Sequence, residues 1–341
     1  MSSEYHQFEK RKQDHIEFAL MQENQAEEWH GFDEMALIHE ALPDLNFDEI
    51  SLVSTRLGHE VKTPFMISSM TAGHQEGVQI NRRLMAAADV TGWAMGVGSQ
   101  RRELTDPNAA FEWASLRRDY PHVSLYSNLG IAQVITTSSE SLIRIIDSLE
   151  ANALIVHCNP LQECIQPEGT PFFKGCWQAL EKLVHQLPVP LIIKETGCGF
   201  SEKTLARLNT IGVAAVDVSG LGGTHWGRIE GHRAAHEPMR KQASETFRNW
   251  GINTLNSVKN ASAILPKYEI WGSGGVRHGL DAAKLFALGV STVAFAKPML
   301  AAALESSDQV ISVMQTIEYE LKVALFCTGS RTITELREKI R

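Results

Sequence analysis

The stretch Ala153-Leu-Ile-Val-His-Cys-Asn-Pro-Leu-Gln-Glu-Cys-Ile-Gln-Pro-Glu-Gly169 begins as an apolar run and ends as a polar loop. Its first residues are apolar without alternation, which is typical of a parallel strand buried on both faces. The side chains of His157, Asn159, Gln162 and Glu163 follow at once. Side chains of these types bind metals and anions, so we interpret the stretch as a buried strand that carries a functional loop at its end.

Short apolar runs of the same kind recur along the chain, each ending in glycine or a small polar residue. Eight strand candidates span residues 65–70, 93–97, 123–126, 154–156, 190–193, 214–218, 268–271 and 292–296. Stretches with helical spacing lie between them, for example at 81–91, 140–150, 176–186, 202–211 and 280–288. This alternation predicts an α/β (β/α)8 TIM barrel, and the length of 341 residues suits one. We favour an open doubly wound sheet less, because no GxGxxG motif follows the first strand.

Two regions depart from the repeating pattern. Residues 5–30 are polar and predict a helix that carries Arg11, Lys12 and His15. The residues alone favour a solvated face for this helix. The connection at 222–266, after the sixth strand, is far longer than the usual few residues and predicts two short helices. It is either a lid over the barrel mouth or an insert that packs without motion.

The C-terminal part predicts two more helices. Residues 309–326 are amphipathic and end near Gly329, a natural residue for a helix C-terminus. Thr332-Ile-Thr-Glu335 is typical of a capping box that opens a last helix. We therefore predict a single domain over residues 1–341, in which residues 1–60 form an N-terminal extension.

Composition excludes several classes of protein. The apolar share of 43% and the charged share of 21% are those of a globular protein. A formal net charge of -8 argues against a nucleic-acid partner. No apolar run approaches the ~20 residues that span a bilayer, and the charged N-terminus lacks a signal-peptide pattern. Five cysteines, an odd number without a CxxC motif, favour a reducing compartment. We expect a cytoplasmic protein without a membrane partner.

Glycine-rich turns follow the last strands of the predicted barrel. Ser273-Gly-Gly-Val-Arg277 follows the seventh strand and leads into a helix start at 279–284. Glycines let backbone N–H groups approach an anion closely, and a helix N-terminus adds its dipole. Gly222-Gly-Thr224 follows the sixth strand and would close the other side. Because barrels commonly hold a phosphate near the last two strands, we predict a phosphate site here.

Three polar side chains at other strand ends suit a planar heterocycle. Lys194 ends a strongly apolar strand, and it either extends from the rim paired with Glu195 or faces the barrel mouth. We favour the second interpretation, in which the cation stabilises electron-rich density on a flavin ring. Asn128 and Ser99 at other strand ends would then give neutral hydrogen bonds to that ring.

These elements together resemble the type 2 isopentenyl-diphosphate isomerases, over about residues 5–340. The HxNxxQE element is the most diagnostic, whereas the SGG element also occurs in other FMN barrels such as 2-hydroxy-acid oxidases. The motifs that carry the resemblance are Arg11-Lys12-x-x-His15, Met70-Thr71-Ala72-Gly73, Gly98-Ser99-Gln100-Arg101, His157-x-Asn159-Pro-Leu-Gln162-Glu163, Lys194-Glu195-x-Gly197-x-Gly199, Gly222-Gly223-Thr224 and Ser273-Gly274-Gly275-Val276-Arg277.

The resemblance implies a flavoprotein isomerase of isoprene biosynthesis. Such an enzyme converts isopentenyl diphosphate to dimethylallyl diphosphate by a 1,3-allylic proton shift. It uses FMN, magnesium (Mg2+) and a nicotinamide cofactor, NADPH, that keeps the flavin reduced. No strand end offers a convincing pair of carboxylates for the proton transfers, so the hypothesis is that reduced FMN is itself the acid and base. The family also implies a homotetramer or homo-octamer.

The resemblance assigns a role to individual residues. Gln162 and His157 would be catalytic, and Glu163 would bind Mg2+. The substrate diphosphate would meet Arg11, Lys12, Ser99, Gln100, Arg101, His157 and Gln162. FMN would contact Ser69, Met70, Thr71, Ala72, Ser99, Asn128, Lys194, Ser219, Thr224, Gly274, Gly275, Val276, Arg277, Ala296 and Lys297. The residues alone are also compatible with other roles for these two side chains. Glu163 is then a carboxylate that caps the following turn, and His157 is a core histidine at a strand end.

Three positions depart from the family pattern, and two rival functions stay open. Ala72, Leu221 and Lys297 stand where glycine, arginine and an apolar residue are usual. One rival is an FMN-dependent hydroxy-acid oxidase, for which His225 is the candidate base. The other is a non-catalytic flavin- or phosphate-binding protein, which would have no use for a Mg2+ ligand in the HxNxxQE loop.

Overall fold

The computed structural model describes residues 3–70 and 75–341. Within these ranges eight parallel strands close into a barrel, which confirms the predicted (β/α)8 fold. The strands are β1 Phe65–Ile67, β2 Ala94–Gly96, β3 Leu125–Gly130, β4 Ala153–Cys158, β5 Leu191–Glu195, β6 Ala215–Asp217, β7 Glu269–Gly272 and β8 Thr292–Phe295. Each strand pairs with the next in the chain, and β8 returns to β1 with Val293 beside Phe65.

Helices surround the barrel and extend beyond it. In the described part of the chain they are α1 Ser3–Leu20, α2 Gln75–Thr91, α3 Phe111–Asp119, α4 Ile131–Val134, α5 Ser139–Leu149, α6 Pro160–Ile165, α7 Cys176–Gln186, α8 Glu202–Ile211, α9 Trp226–Arg233, α10 Pro238–Thr246, α11 Thr254–Ala263, α12 Gly279–Ala287, α13 Lys297–Glu305 and α14 Ser307–Cys327. A short antiparallel hairpin, Ser54–Arg56 with His59–Val61, precedes β1. None of these helices is both long and apolar enough to cross a membrane.

The barrel interior is filled by side chains, as strand alternation requires. Met66, Tyr126, Ile155 and Trp271 belong to one buried cluster, and the Tyr126 and Trp271 rings lie 5.6 Å apart. Neighbouring strand residues such as Phe65 point outwards and belong to the larger core shared with the helices. A filled interior leaves the ends of the barrel as the places where a ligand can bind.

The N-terminal extension reaches the carboxyl ends of the strands. The predicted helix at 5–30 ends earlier, at Leu20, and short 3-10 segments follow it. Ala26 N donates to Gly223 O at 2.8 Å, and Gln25 forms an isolated bridge with Thr224. The extension is therefore attached to the glycine loop that follows β6.

The connection at 222–266 holds three helices, so the prediction of two was wrong. The third, α11, packs against α8 and β7 and is the ordinary barrel helix between β6 and β7. The additional part is therefore α9 and α10, and α9 contacts α1 and α6. Both interpretations of this segment, a lid and an insert that packs without motion, stay predictions.

The C-terminus differs from the predicted capped helix. Ile333–Glu338 is a 3-10 helix, and within the described residues Thr332 accepts no capping hydrogen bond. Instead, Thr332 Oγ1 donates to Glu335 Oε1 at 3.2 Å, and Arg331 N donates to Glu335 Oε2 at 2.9 Å. The predicted capping box was therefore wrong. Both oxygens of Glu335 accept hydrogen bonds, but the backbone N–H that its side chain reaches is that of Arg331 and not that of Thr332. The division of the chain into a single domain stays a prediction.

Candidate active site

A cavity lies at the carboxyl ends of the barrel strands and collects most of the predicted site residues. Thr71 and Ala72 lie outside the described residues. Gln100 is described but does not line the cavity. The predicted residues that do line it are Arg11, Lys12, Ser69, Met70, Ser99, Arg101, Asn128, His157, Gln162, Glu163, Lys194, Ser219, Thr224, Gly274, Gly275, Val276, Arg277, Ala296 and Lys297.

The two predicted glycine loops pack against each other, backbone to backbone. A Cβ on Gly223 would lie 2.6 Å from Gly275 N. Gly275 has φ +75°, and a Cβ there would meet the Gly222 carbonyl. Gly222 itself has φ +146°. Only glycine fits these positions, and the result is a wall of main-chain groups that an anion can approach closely.

The helix placed to support an anion beside these loops is α13, whereas the sequence predicted the helix that is observed as α12. The N-terminus of α12 is already taken by carboxylates, because Gly279 N donates to Glu320 Oε2 at 2.6 Å and Arg277 N to Asp281 Oδ2 at 3.1 Å. The start of α13 lines the cavity with Ala296 and Lys297, and no side chain of the described residues caps it. The helix dipole that favours an anion is therefore that of α13, which begins just after β8.

Lys194 faces the cavity mouth, as the sequence suggested. Its Nζ lies 3.3 Å from Asp217 Oδ2 and donates to the Glu195 carbonyl at 2.9 Å. It does not pair with the Glu195 carboxylate; Oε2 of that group accepts from the backbone N–H groups of Thr196, Gly197, Cys198 and Gly199. Burial raises the pKa of the Glu195 carboxyl to about 7.

His157 is held by a chain of polar groups that runs behind the cavity wall. Its Nδ1 lies 2.9 Å from Asn128 Oδ1, and Asn128 Nδ2 donates to Val97 O at 3.1 Å, which fixes the amide. Gln100 Oε1 in turn accepts from Asn128 N at 3.1 Å and from Ser127 Oγ. Burial, with Lys194 and Lys12 nearby, lowers the pKa of His157 to about 3. The imidazole is neutral near pH 7, and a bound anion would favour its protonated form.

The face of α1 that carries Lys12 and His15 turns towards the cavity, so the solvated interpretation of this helix was wrong. Burial, together with the neighbouring Arg11, lowers the pKa of Lys12 to about 7. Burial also lowers the pKa of Arg11, and Arg101 adds to that shift. Cations that are partly desolvated and repel one another form a site for an anion.

The structure confirms one of the two interpretations of Glu163, the carboxylate that holds the following turn. Its role as a Mg2+ ligand stays a prediction. Its side chain lines the cavity with 8% of the residue exposed. Oε1 accepts from Asn159 Nδ2 at 3.2 Å, and Oε2 accepts from Thr170 N, so the carboxylate also holds the turn that follows. In the described part of the chain no three His, Cys, Asp or Glu side chains cluster to hold a metal ion. A cation at Glu163 would therefore need ligand oxygens from a bound phosphate or water.

Sequence reasoning missed Glu230, which is fully buried on α9. It accepts from His15 Nε2 at 2.8 Å, from Gln162 Nε2 at 2.9 Å and from Arg233 Nη1 at 2.6 Å. His15 also contacts the Trp226 ring edge-on at 5.0 Å. Glu230 thus joins α1, α6 and α9, and no local pattern marks this role because His15 and Gln162 are distant in the chain. Asp217 was also missed, although an acidic residue that directly follows an apolar run is a recognisable signal in the sequence.

His225 is placed where it cannot serve as the base of an oxidase. It is buried and does not line the cavity. Its Nδ1 accepts from Arg228 N at 3.3 Å, capping α9, and its Nε2 contacts Trp250 O at 3.2 Å. Burial lowers its pKa to about 4. Its position is accounted for by the helix that it caps.

The structure describes the positions of two of the three residues that depart from the family pattern. Leu221 is buried and pairs through its backbone with Ile252 and Thr254, away from the cavity lining. Lys297 lines the cavity with its Nζ 3.8 Å from Glu27 Oε1. Ala72 lies outside the described residues.

Comparison with known proteins agrees with this geometry. Residues 151–341 match the FMN-dependent dehydrogenase family. An isopentenyl-diphosphate delta-isomerase of Legionella pneumophila (strain Corby) is 67% identical over 339 residues, covering 99% of each chain. Those of Bdellovibrio bacteriovorus and Halobacterium salinarum are 51% and 42% identical and cover 98% and 97% of this chain and 97% and 92% of their own.

Solved structures with the same fold belong to flavin enzymes of other activity. A mandelate oxidase with benzoyl-formic acid has a TM-score of 0.66 at 16% identity, covering 96% of this chain and 92% of its own. A flavocytochrome b2 variant with benzoylformate has a TM-score of 0.71 at 17% identity, covering 96% and 81%. At such identities the likeness shows the fold alone.

Proposed function

The chain belongs to the isopentenyl-diphosphate delta-isomerases, within the FMN-dependent dehydrogenase family, and from this premise we propose that it is a type 2, flavin-dependent isomerase. It converts isopentenyl diphosphate to dimethylallyl diphosphate by a 1,3-allylic proton shift. FMN is the resident cofactor, and NADPH keeps it reduced. Mg2+ accompanies the diphosphate.

The residues at one end of the cavity fit FMN. The glycine loops and the start of α13 suit its phosphate, and Lys194 suits the electron-rich edge of its ring. Ser69 supports the same proposal, because its buried hydroxyl lines the cavity and has no hydrogen-bond partner among the described residues. An unpartnered buried hydroxyl is costly unless a ligand completes its bonding. Reduced FMN, when bound, supplies the acid and base of the proton shift.

The opposite end of the cavity fits the substrate diphosphate. Arg11, Lys12 and Arg101 bring positive charge from α1 and from the loop after β2. His157 sits between this cluster and Lys194 and gains a proton most readily when an anion is bound. These groups bind and orient the diphosphate, so that the hydrocarbon end of the substrate points towards the other end of the cavity.

Glu163 and Gln162 complete the substrate site on α6. Glu163 would hold Mg2+ with its carboxylate, together with oxygens of the substrate and water, as Mg2+ commonly accepts. Gln162 is oriented by two fixed hydrogen bonds, one to Glu230 and one from Asn159 Nδ2 at 3.0 Å. Its amide is therefore rigid and holds the substrate against the flavin position.

One observation carries the proposal: the glycine loops and the cations Arg11, Lys12 and Arg101 line the same cavity, and His157 and Lys194 pair in register on β4 and β5 in its wall. A cofactor phosphate and a substrate diphosphate account for both. The test is to purify the protein, check for bound yellow flavin, and assay isopentenyl diphosphate anaerobically with chemically reduced FMN and Mg2+. We expect turnover only when all are present.

Other results of this assay would contradict the proposal in distinct ways. Full turnover without FMN would exclude the flavin as acid and base. A yellow protein that oxidises 2-hydroxy acids would favour the oxidase, and colour without turnover would favour a binding protein. An assay with NADPH in place of the chemical reductant tests the nicotinamide requirement separately.

Assembly and location follow from the family and are part of the same proposal. We expect a homotetramer or homo-octamer, which light scattering of the purified protein would measure directly. We also expect a cytoplasmic enzyme. The five cysteines are all free, which suits a reducing compartment.

A further inference from the structure

Asp217 ends strand β6 and lies behind the cavity wall, only 2% exposed. Its two carboxylate oxygens have different partners. Oδ2 lies 3.3 Å from Lys194 Nζ on β5. Oδ1 accepts from Ser273 Oγ at 2.6 Å and from Ser219 N at 3.3 Å. The side chain thus connects the ends of three neighbouring strands.

Each of these three partners lines the cavity, whereas Asp217 does not. Ser219 has φ +35°, a left-handed conformation that is unusual for a residue with a Cβ. It leads directly into the loop of Gly222 and Gly223. Ser273 likewise leads into Gly274 and Gly275. One oxygen of Asp217 therefore anchors the roots of both glycine loops.

We infer that Asp217 is a positioning residue with two separable tasks: Oδ1 holds the glycine loops in register, and Oδ2 is the counter-charge that sets the field of Lys194 at the flavin. This inference rests on the proposed binding of FMN. Lys194 is buried, and a buried cation requires a nearby charge of opposite sign. Because Lys194 lines the cavity and Asp217 does not, the pair presents its positive end to the cofactor.

The two tasks are separable because asparagine has nearly the same shape as aspartate. Asp217→Asn keeps an oxygen for Ser273 and Ser219 but replaces the charged oxygen beside Lys194 by an NH2 group. Asp217→Ala removes both. Glu269→Gln is the matched control, because Glu269 accepts from Leu57 N at 2.6 Å and from Trp271 Nε1 at 2.9 Å at the opposite end of the barrel.

The experiment measures the dissociation constants of oxidised and reduced FMN, the flavin midpoint potential and Tm for all variants. We expect Asp217→Asn to bind FMN and to shift the ratio of the two constants about tenfold towards reduced flavin, because the ammonium acts without its counter-charge. We expect Asp217→Ala, in addition, to weaken the binding of both oxidised and reduced FMN. Glu269→Gln lowers Tm and leaves FMN binding and potential unchanged.

A shift of the potential in the opposite direction, towards oxidised flavin, would overturn the inference. An Asp217→Asn variant that behaves like Glu269→Gln, with lower Tm and an unaltered potential, would overturn it. If the wild-type protein bound no FMN, the proposed function would fail, and this inference with it.

Discussion

The two ends of the cavity offer different physical means of binding an anion. We call residues 222–224 and 274–276 the glycine end, and Arg11, Lys12, Arg101 and His157 the cationic end. The glycine end offers main-chain N–H groups and a helix dipole, which do not titrate. At the cationic end, burial lowers the pKa values of Arg11, Lys12 and His157. A permanently bound cofactor suits the first, and a substrate that must leave suits the second.

The largest effect is expected at the glycine end. Gly275→Ala would place a Cβ against the Gly222 carbonyl at φ +75°. We expect FMN binding to be lost, by at least about 100-fold in Kd, since the loops must separate. Titration of the apoprotein with FMN measures it.

The control for this variant is Gly289→Ala. Gly289 has φ +93° but nothing within 4 Å of its Cβ position, so only backbone strain of about 1 kcal/mol is added. It should keep its FMN. Equal loss of FMN in both variants would show that strain, and not the close approach of the loops, is responsible.

The next largest effect should be confined to the cationic end, where it changes substrate binding and not FMN binding. Lys12→Met should raise the substrate KM about 100-fold, which corresponds to losing one charge-assisted contact, and leave FMN affinity unchanged. The exposed Lys10→Met on the same helix is the control and should behave as wild type. Weakened FMN binding in Lys12→Met would mean that the two ends are not independent.

The pH should act on the cationic end through Lys12. The pKa of Lys12 is about 7, and only its protonated form attracts the diphosphate. The wild-type KM should therefore rise as pH increases through about 7. Bound diphosphate raises this pKa, so the profile of kcat shifts to higher pH than that of kcat/KM. A Lys12→Met enzyme that keeps the same pH profile would contradict the assignment.

A smaller effect concerns the metal. Glu163→Gln should increase the Mg2+ concentration for half-maximal activity about tenfold, because a neutral amide is a weaker ligand for a hard cation. Gln162→Asn is the matched variant on α6 and should reduce turnover without changing the Mg2+ dependence. If Glu163→Gln leaves that dependence untouched, the metal assignment is wrong.

The smallest effect is expected at Gln100, which is buried behind the cavity wall. Gln100→Leu leaves Asn128 N without its acceptor, and we expect a loss of about 1–3 kcal/mol in unfolding free energy. FMN and substrate affinity should fall together and modestly, because Gln100 acts through Asn128 and His157. A selective loss of substrate affinity would instead indicate the direct diphosphate contact that we first expected.

Much of the fold was predictable because its signals are local. Apolar runs without alternation marked all eight strands to within a few residues, and helical spacing placed 176–186 and 202–211 at their observed bounds. The glycine loops were also readable, since few other residues tolerate a positive φ. The capping box at 332–335 failed because a short motif is compatible with several side-chain arrangements.

The site was less predictable where it depends on direction and distance. Successive side chains on a strand point to opposite faces. The sequence favoured Lys194 facing the cavity, but the apolar pattern did not show that the Glu195 carboxylate turns to the backbone of 196–199. Gln100 precedes Arg101 in one motif, yet the chain turns so that only Arg101 reaches the cavity.

Local signals in the sequence are enough to predict the barrel strands, the glycine loops and the polar loop at 157–163, because each depends on neighbours within a few residues. Tertiary packing folds α1 back over the cavity, joins Glu230 to His15 and Gln162, and pairs Asp217 with Lys194. No single stretch of sequence contains these contacts, because they join groups on separate elements. Burial, which lowers the pKa values of Arg11, Lys12 and His157, exists only once the chain has packed.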